Sequence, residues 1–254
     1  MRPGRRLVCV HAHPDDEAIW TGGLLARWTD GGGQAAVVTC TDGEAGAASD
    51  GPAGTRLAEL GRALAILGTA PARLLGYKDS GMPAAGDPGS FWRADLDEAV
   101  GRLVGHLRQL RPDVLVAYDA AGIYGHPDHI QAHRVGLLAA EACGSAALYR
   151  AAGPAWRPPR VYLVTVPRSV IQLAGRELAD IGLPAGLRLG ADPATLGTPD
   201  ERLTTTLDVR PWLDRKWAAM RAHASQLGPG SPLDDLPEPL REALLGTEWY
   251  VRRR

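Results

Sequence analysis

The sequence predicts an α/β fold, a Rossmann-like, doubly wound and mostly parallel sheet with helices on both faces. Two observations predict it. Strand-like and helix-like segments alternate through the first 145 residues, and the strand-like ones are near-continuous apolar runs. Runs of that kind belong to parallel strands buried on both faces. Right-handed crossovers between them favour the strand order 3-2-1-4.

Taken in order, residues 7–10 are a short apolar, β-branched strand. A helix is expected over 19–29, ended by Asp30 and the Gly31-Gly32-Gly33 run. A second strand follows at 35–41. Over 56–67, Leu57, Leu60, Leu64 and Leu67 share one helical stripe, and Gly68 is the stop. Residues 73–75 read as a short third strand. The 95–110 segment carries Leu96, Val100, Leu103, Val104 and Leu107 at helical spacing before Pro112. A fourth strand is expected at 114–118 and a fourth helix at 129–142. The second half is richer in Pro and Gly, around 151–160, 182–199 and 228–239. It still offers strands at 161–166 and 204–209, and a helix at 211–226 with Pro211 in its first turn. No internal repeat or disordered low-complexity tract interrupts the chain. The expectation is one domain over 1–254, with 1–145 as the α/β core and 146–254 as an irregular extension completing it.

Composition bounds the function classes. With 254 residues, 45% hydrophobic and 22% charged, the chain can bury a full core. A formal net charge of -1 gives no global electrostatic case for nucleic acid or an anionic membrane. The basic end, Arg252-Arg253-Arg254, reads as solvated. Cys9, Cys40 and Cys143 are too few and too widely spaced for a disulfide framework or a CxxC zinc site. They read as small buried hydrophobes in a reducing compartment. No apolar stretch is long enough for a membrane span or a signal peptide, so a cytoplasmic location is expected. A homo-oligomer is left open.

The chemistry lies where two strands end. The first strand runs into His11-Ala12-His13-Pro14-Asp15-Asp16-Glu17. A dinucleotide-binding fold would carry G-x-G-x-x-G here, and its absence disfavours a nucleotide-dependent oxidoreductase. Imidazole and carboxylate are good zinc ligands, and Pro14 stiffens the turn between His13 and Asp16. The fourth strand leads through 119–125 into His126-Pro127-Asp128-His129. Either motif alone reads as a helix N-cap. In the order 3-2-1-4, however, strands one and four are neighbours, and both motifs converge on the crevice where open α/β sheets bind ligands.

These motifs resemble those of the PIG-L/LmbE-like N-deacetylases. The similarity lies in HAHPDDE at 11–17, TDGEAG at 41–46, GYKDSGM at 76–82 and GIYGHPDH at 122–129. Within that family the chain is most similar to actinobacterial enzymes of mycothiol metabolism. The resemblance implies a hydrolase that removes an N-acetyl group from an N-acetylglucosamine-like conjugate. It makes His13, Asp16 and His129 the ligands of Zn2+, a set that Fe2+ also accepts. Asp15 is then the general base, acting on a water whose pKa zinc lowers to about 7. His126, oriented by Asp128, stabilises the oxyanion and protonates the leaving amine, and Tyr124 donates to the same oxyanion. Arg56 and Asp79 are the expected contacts to substrate hydroxyls.

The remaining candidates carry less. Glu17 and Glu44 read as supporting or capping residues, and His11 as packed. His133 shares a helical face with His129 and is a rival ligand. His106 and His223 have no partner motif and read as structural. Trp20 and Trp28 read as core, and Phe91 and Trp92 as pocket walls. Amidase-type members often carry Lys after the DDE, where this chain has Ala18-Ile19-Trp20-Thr21, which favours a deacetylase over a mycothiol S-conjugate amidase. A catalytically inactive sugar-binding protein and a two-metal phosphate-ester hydrolase are the competing readings from other classes.

Overall fold

The computed structural model describes residues 4–45, 54–82, 87–180, 196–227 and 238–253. The first half follows the β-α alternation: β1 (Arg6–His11), α1 (Asp16–Asp30), β2 (Gln34–Thr41), α2 (Thr55–Leu67), β3 (Arg73–Tyr77), α3 (Leu96–Leu110), β4 (Val114–Tyr118), the single turn α4 (Gly122–Gly125) and α5 (Pro127–Ala142). The second half adds β5 (Val161–Thr165), α6 (Arg168–Asp180), β6 (Thr205–Asp208), α7 (Leu213–Ala222), α8 (Ala224–Leu227), α9 (Glu238–Leu245) and β7 (Thr247–Arg252).

The described strands form one sheet in the order β3-β2-β1-β4-β5-β7-β6. The first five are parallel, with β4 beside β1 in the register Leu7↔Val114 and Cys9↔Val116. β7 runs antiparallel to both β5 and β6. The expected 3-2-1-4 order is therefore the first part of a longer sheet. The second half is less irregular than its composition suggests, because it contributes three strands to that sheet. Most of its Pro- and Gly-rich stretches at 182–199 and 228–239, namely 182–195 and 228–237, lie outside the described residues.

Apolar side chains on both faces of β1, β2 and β4 form the core, with Cys9, Val37, Leu115, Leu64, Leu103 and Val135 essentially inaccessible. All three cysteines are buried and free, as expected. Where α1 crosses the second half it packs very close: a Cβ at Gly23 would lie 2.4 Å from Val209. The Gly23 and Leu24 N–H groups donate to the carboxylate of Glu248, which also accepts from Lys216 Nζ at 2.8 Å and from the Tyr250 hydroxyl. Removing either member of this buried pair is expected to cost about 3–5 kcal/mol. Among the described residues no helix is long and apolar enough to cross a membrane.

The boundaries that differ from expectation are the informative ones. α1 starts at Asp16, three residues earlier than predicted, because the Asp15 carbonyl already accepts from Ala18 and Ile19 N–H. α5 starts at Pro127, with the His126 ring accepting from Asp128 N–H as its N-cap. Both motifs are thus the first turns of helices. The predicted 211–226 helix is broken at His223 (φ −84°, ψ 57°) into α7 and α8.

Candidate metal centre

Two strained turns at the carboxyl ends of β1 and β4 build the site. In the first, Asp15 sits at φ 106°, ψ −32°, a left-handed backbone that a non-glycine residue adopts at a cost of about 1–3 kcal/mol. In the second, Gly122, Ile123 and Gly125 all have positive φ. A Cβ at Gly122 would lie 2.6 Å from that of His129, so only glycine lets the turn pass over this helix start. The β-branched Ile123 at φ 65° is held by its N–H, which donates to Asp119 Oδ1 at 2.9 Å. Asp119 is in turn held by the Thr165 hydroxyl.

Three donor atoms face one centre. His13 Nδ1 lies 3.4 Å from Asp16 Oδ2, His129 Nε2 lies 3.3 Å from the same oxygen, and the two ring nitrogens are 3.3 Å apart. A tetrahedral ion with bonds of about 2.0–2.1 Å separates its ligand atoms by about 3.3–3.4 Å. The donor set therefore fits a single zinc-sized ion with one position left open. Two other groupings share His13: His13–His126–His129 and His13–Asp79–Asp128, with donor atoms within 4.8 Å of one another. The first has one nitrogen of His126 already committed to its helix cap. The second uses the opposite face of the His13 ring.

The surroundings fix each donor. His13 Nε2 faces Asp128 Oδ2 at 3.3 Å and Asp79 Oδ1 at 3.5 Å. Its proton therefore belongs on Nε2, which leaves the Nδ1 lone pair for the centre. Asp16 Oδ1 accepts from the Trp20 indole at 3.0 Å, and its Oδ2 accepts from His13 N–H at 2.8 Å. The His129 ring stacks on Tyr118 (centroids 4.4 Å apart, 20° between planes). The Tyr124 hydroxyl lies 3.4 Å from His129 Nε2. His126 Nδ1 accepts from Asp128 N–H at 3.1 Å, so its neutral ring presents Nε2–H as the free donor.

Asp15 flanks this centre with its carboxylate on Arg56 Nη2 at 3.0 Å. That guanidinium also donates to the Pro14 and Gly43 carbonyls. Burial, reinforced by the charge of Asp16 and opposed by Arg56, pushes the Asp15 carboxyl up to about 7. Burial would also raise Asp16, but His129 and His13 outweigh it and hold that carboxyl well below its ordinary range. For His13, burial favours the neutral ring, yet the hydrogen bonds to Asp128, Asp16 and Asp79 win and raise it. Burial, with His13 and His129 beside it, lowers His126 to about 4.

The residues expected to bind metal, catalyse or contact substrate lie in this region, but some touch different partners. The Asp128 carboxylate accepts from His13 and from the Ser80 N–H and hydroxyl, and it reaches His126 only through its backbone N–H. Arg56 faces Asp15, and the buried Asp79 carboxylate faces His13 and Gly81 N–H. The rival ligand His133 turns to the backbone instead, its Nδ1 donating to the Tyr118 carbonyl at 2.7 Å. His11 is packed as expected, between Thr21 and Tyr118. Phe91 is fully buried with its ring against Tyr77, so it does not form an open pocket wall. Trp20 is no mere core residue, since it orients Asp16. The largest omission is His223, which is inaccessible and bonds Glu17 Oε1 at 2.7 Å. The sequence carried one signal for it, a histidine interrupting an otherwise helical run.

A two-histidine, one-carboxylate set at the carboxyl edge of a doubly wound sheet is an arrangement suited to a catalytic metal. The chain belongs to the PIG-L family, described as GlcNAc-PI de-N-acetylase, whose family model matches residues 8–140. It is 43% identical, over 98% of its length and 92% of the relative's, to 1D-myo-inositol 2-acetamido-2-deoxy-alpha-D-glucopyranoside deacetylase of Geodermatophilus obscurus. Its fold is similar to the crystal structure of a conserved protein from Thermus thermophilus (TM-score 0.68, 24% identity, 98% and 94% of the two chains). It is also similar in fold to N,N'-diacetylchitobiose deacetylase from Pyrococcus horikoshii (TM-score 0.67, 18% identity, 98% and 84%).

Proposed function

We propose that the protein is a zinc-dependent hydrolase that removes the acetyl group from an N-acetylglucosaminyl-inositol substrate. The observation that carries this reading is the triangle of His13 Nδ1, Asp16 Oδ2 and His129 Nε2, with edges of 3.3–3.4 Å, beside the raised carboxyl of Asp15. The relative from Geodermatophilus obscurus, alike over nearly the whole chain, supports the substrate. Three unpaired buried cysteines support a reducing, cytoplasmic setting.

An ion at the triangle supplies a Lewis acid and lowers the pKa of water beside it to about 7. The residues do the rest. Asp15 takes the proton of the attacking water. Asp15, raised to about 7 in the metal-free site, would be ionised and ready to act as a base at neutral pH beside a bound ion. His126, held neutral, offers Nε2–H to the amide oxygen as charge develops there, and the Tyr124 hydroxyl is placed to assist. A neutral His126 has no spare proton for the departing amine. Asp15 holds the one it has just taken and returns it to the more basic nitrogen.

The test is release of free amine from N-acetylglucosamine and N-acetylglucosaminyl-inositol by metal-stripped protein, with and without added zinc. The expected result is zinc-dependent release, faster from the inositol conjugate. No release from either, with zinc bound, would reject the substrate and point to a larger acyl conjugate. Arg56→Ala supplies a second check. Loss of its charge is expected to move the acid limb of the pH–kcat/KM profile upward by about one unit. A limb that stays in place would separate Arg56 from the ionisation of Asp15.

A further inference from the structure

The second half of the chain also reaches the first turn of the site, through a contact that the reaction does not use. His223, between α7 and α8, and Glu17, in the first turn of α1, are both inaccessible to solvent and lie 206 positions apart. His223 Nε2 meets Glu17 Oε1 at 2.7 Å. The other oxygen of the same carboxylate, Oε2, accepts the Asp15 N–H at 3.0 Å. That N–H belongs to the strained residue, at φ 106°. Glu17 therefore has one oxygen on the strained turn and the other on an anchor from a distant segment.

We propose that His223 is a positioning residue: through Glu17 it holds the Asp15 backbone in its strained conformation, so that the Asp15 and Asp16 carboxylates leave the turn in their two working directions. A carboxylate this deeply buried is retained only when it is paired. Without His223, Glu17 has reason to turn toward water and release the Asp15 N–H. A non-glycine backbone at this φ persists only while its surroundings over-determine it. Relaxation would then move Asp15 away from the attacking water and Asp16 Oδ2 out of the triangle. A neighbouring contact provides a control. Ser225, two residues on, donates its N–H and hydroxyl to Glu59 on α2, at 2.9 and 2.6 Å. It staples the same segment to the core with no bond to the 13–17 turn.

The inference rests on the deacetylase reading above, and the test separates the two. Kinetics on N-acetylglucosaminyl-inositol and zinc affinity by chelator competition are measured for the wild type, His223→Gln, His223→Asn and Ser225→Ala. Gln places an amide N–H near the position of Nε2, and Asn does not. His223→Asn is expected to lose about 10–100-fold in both kcat and zinc affinity, with KM within about twofold. His223→Gln is expected to recover most of both. Ser225→Ala is expected to lower Tm alone. Glu17→Leu, which removes both acceptor oxygens and so breaks the same link from its other end, is expected to show the split of His223→Asn. The double variant is expected to be no worse than the single ones, since both cut one connection. Wild-type kcat and zinc affinity in Glu17→Leu would overturn the proposal, and so would equal behaviour of His223→Asn and His223→Gln. A wild type that binds zinc but releases no amine would instead reject the substrate, and zinc affinity would still decide the role of His223.

Discussion

Asp15→Asn is expected to retain zinc while its kcat falls by about a hundredfold to ten-thousandfold, the usual worth of a positioned general base. The amide keeps the shape of the side chain and a contact to Arg56, but it cannot take a proton. The three donor atoms of the triangle do not include Asp15, so metal content, read by chelator titration, should be unchanged. A companion variant reads the strain. Asp15→Gly removes the Cβ that penalises φ 106° and should raise stability by about 1–3 kcal/mol while abolishing turnover. For a chain of this size that is about 2–4 °C in Tm per kcal/mol. The charge adds a pH dependence with a definite sign. The Asp15 carboxyl is raised from 3.8 to about 7, so folding opposes its ionisation. The cost is absent at pH below 3.8, grows through the window up to about 7 and is complete above it. In metal-stripped protein the advantage of Asp15→Gly should therefore be larger at pH 8 than at pH 5. An advantage of equal size at the two pH values would mean that ionising Asp15 carries no such cost, and no advantage at either would mean that its backbone carries none.

His129→Ala is expected to lose metal and activity together. His129 Nε2 is one corner of a three-atom donor set, and two remaining protein ligands hold zinc poorly. The loss should exceed the roughly 100-fold that outer changes around a metal cost. The contrast with Asp15→Asn separates holding the ion from using it. His129→Ala protein that still bound one zinc tightly would shift the centre to one of the other groupings around His13.

Much of this site was legible because its signals are local. The HAHPDDE and GIYGHPDH runs lie where strands give way to helices, and the order of β3, β2, β1 and β4 is the doubly wound one that the β-α alternation favours. Other parts depend on partners far apart in the chain. β7 escaped the alternation test because its inward positions include Glu248, a charge buried against Lys216. A polar residue at a core position breaks the period-2 pattern that marks a strand. His223 looked unpartnered because Glu17 lies 206 residues earlier. The motif named Asp128 but not what its carboxylate would face: His13 and Ser80 are brought to it by β1 and by the loop after β3. The left-handed backbone of Asp15 has no sequence signature at all, because glycine is the residue expected there.

Whether His13, Asp16 and His129 together hold the catalytic ion is decided by anomalous diffraction at the zinc edge from crystals of the zinc-loaded protein. One peak is expected about 2.0–2.2 Å from His13 Nδ1, Asp16 Oδ2 and His129 Nε2. A peak on the opposite edge of His13, bound through Nε2 with Asp79 and Asp128, would contradict it and reassign both the ligands and the base.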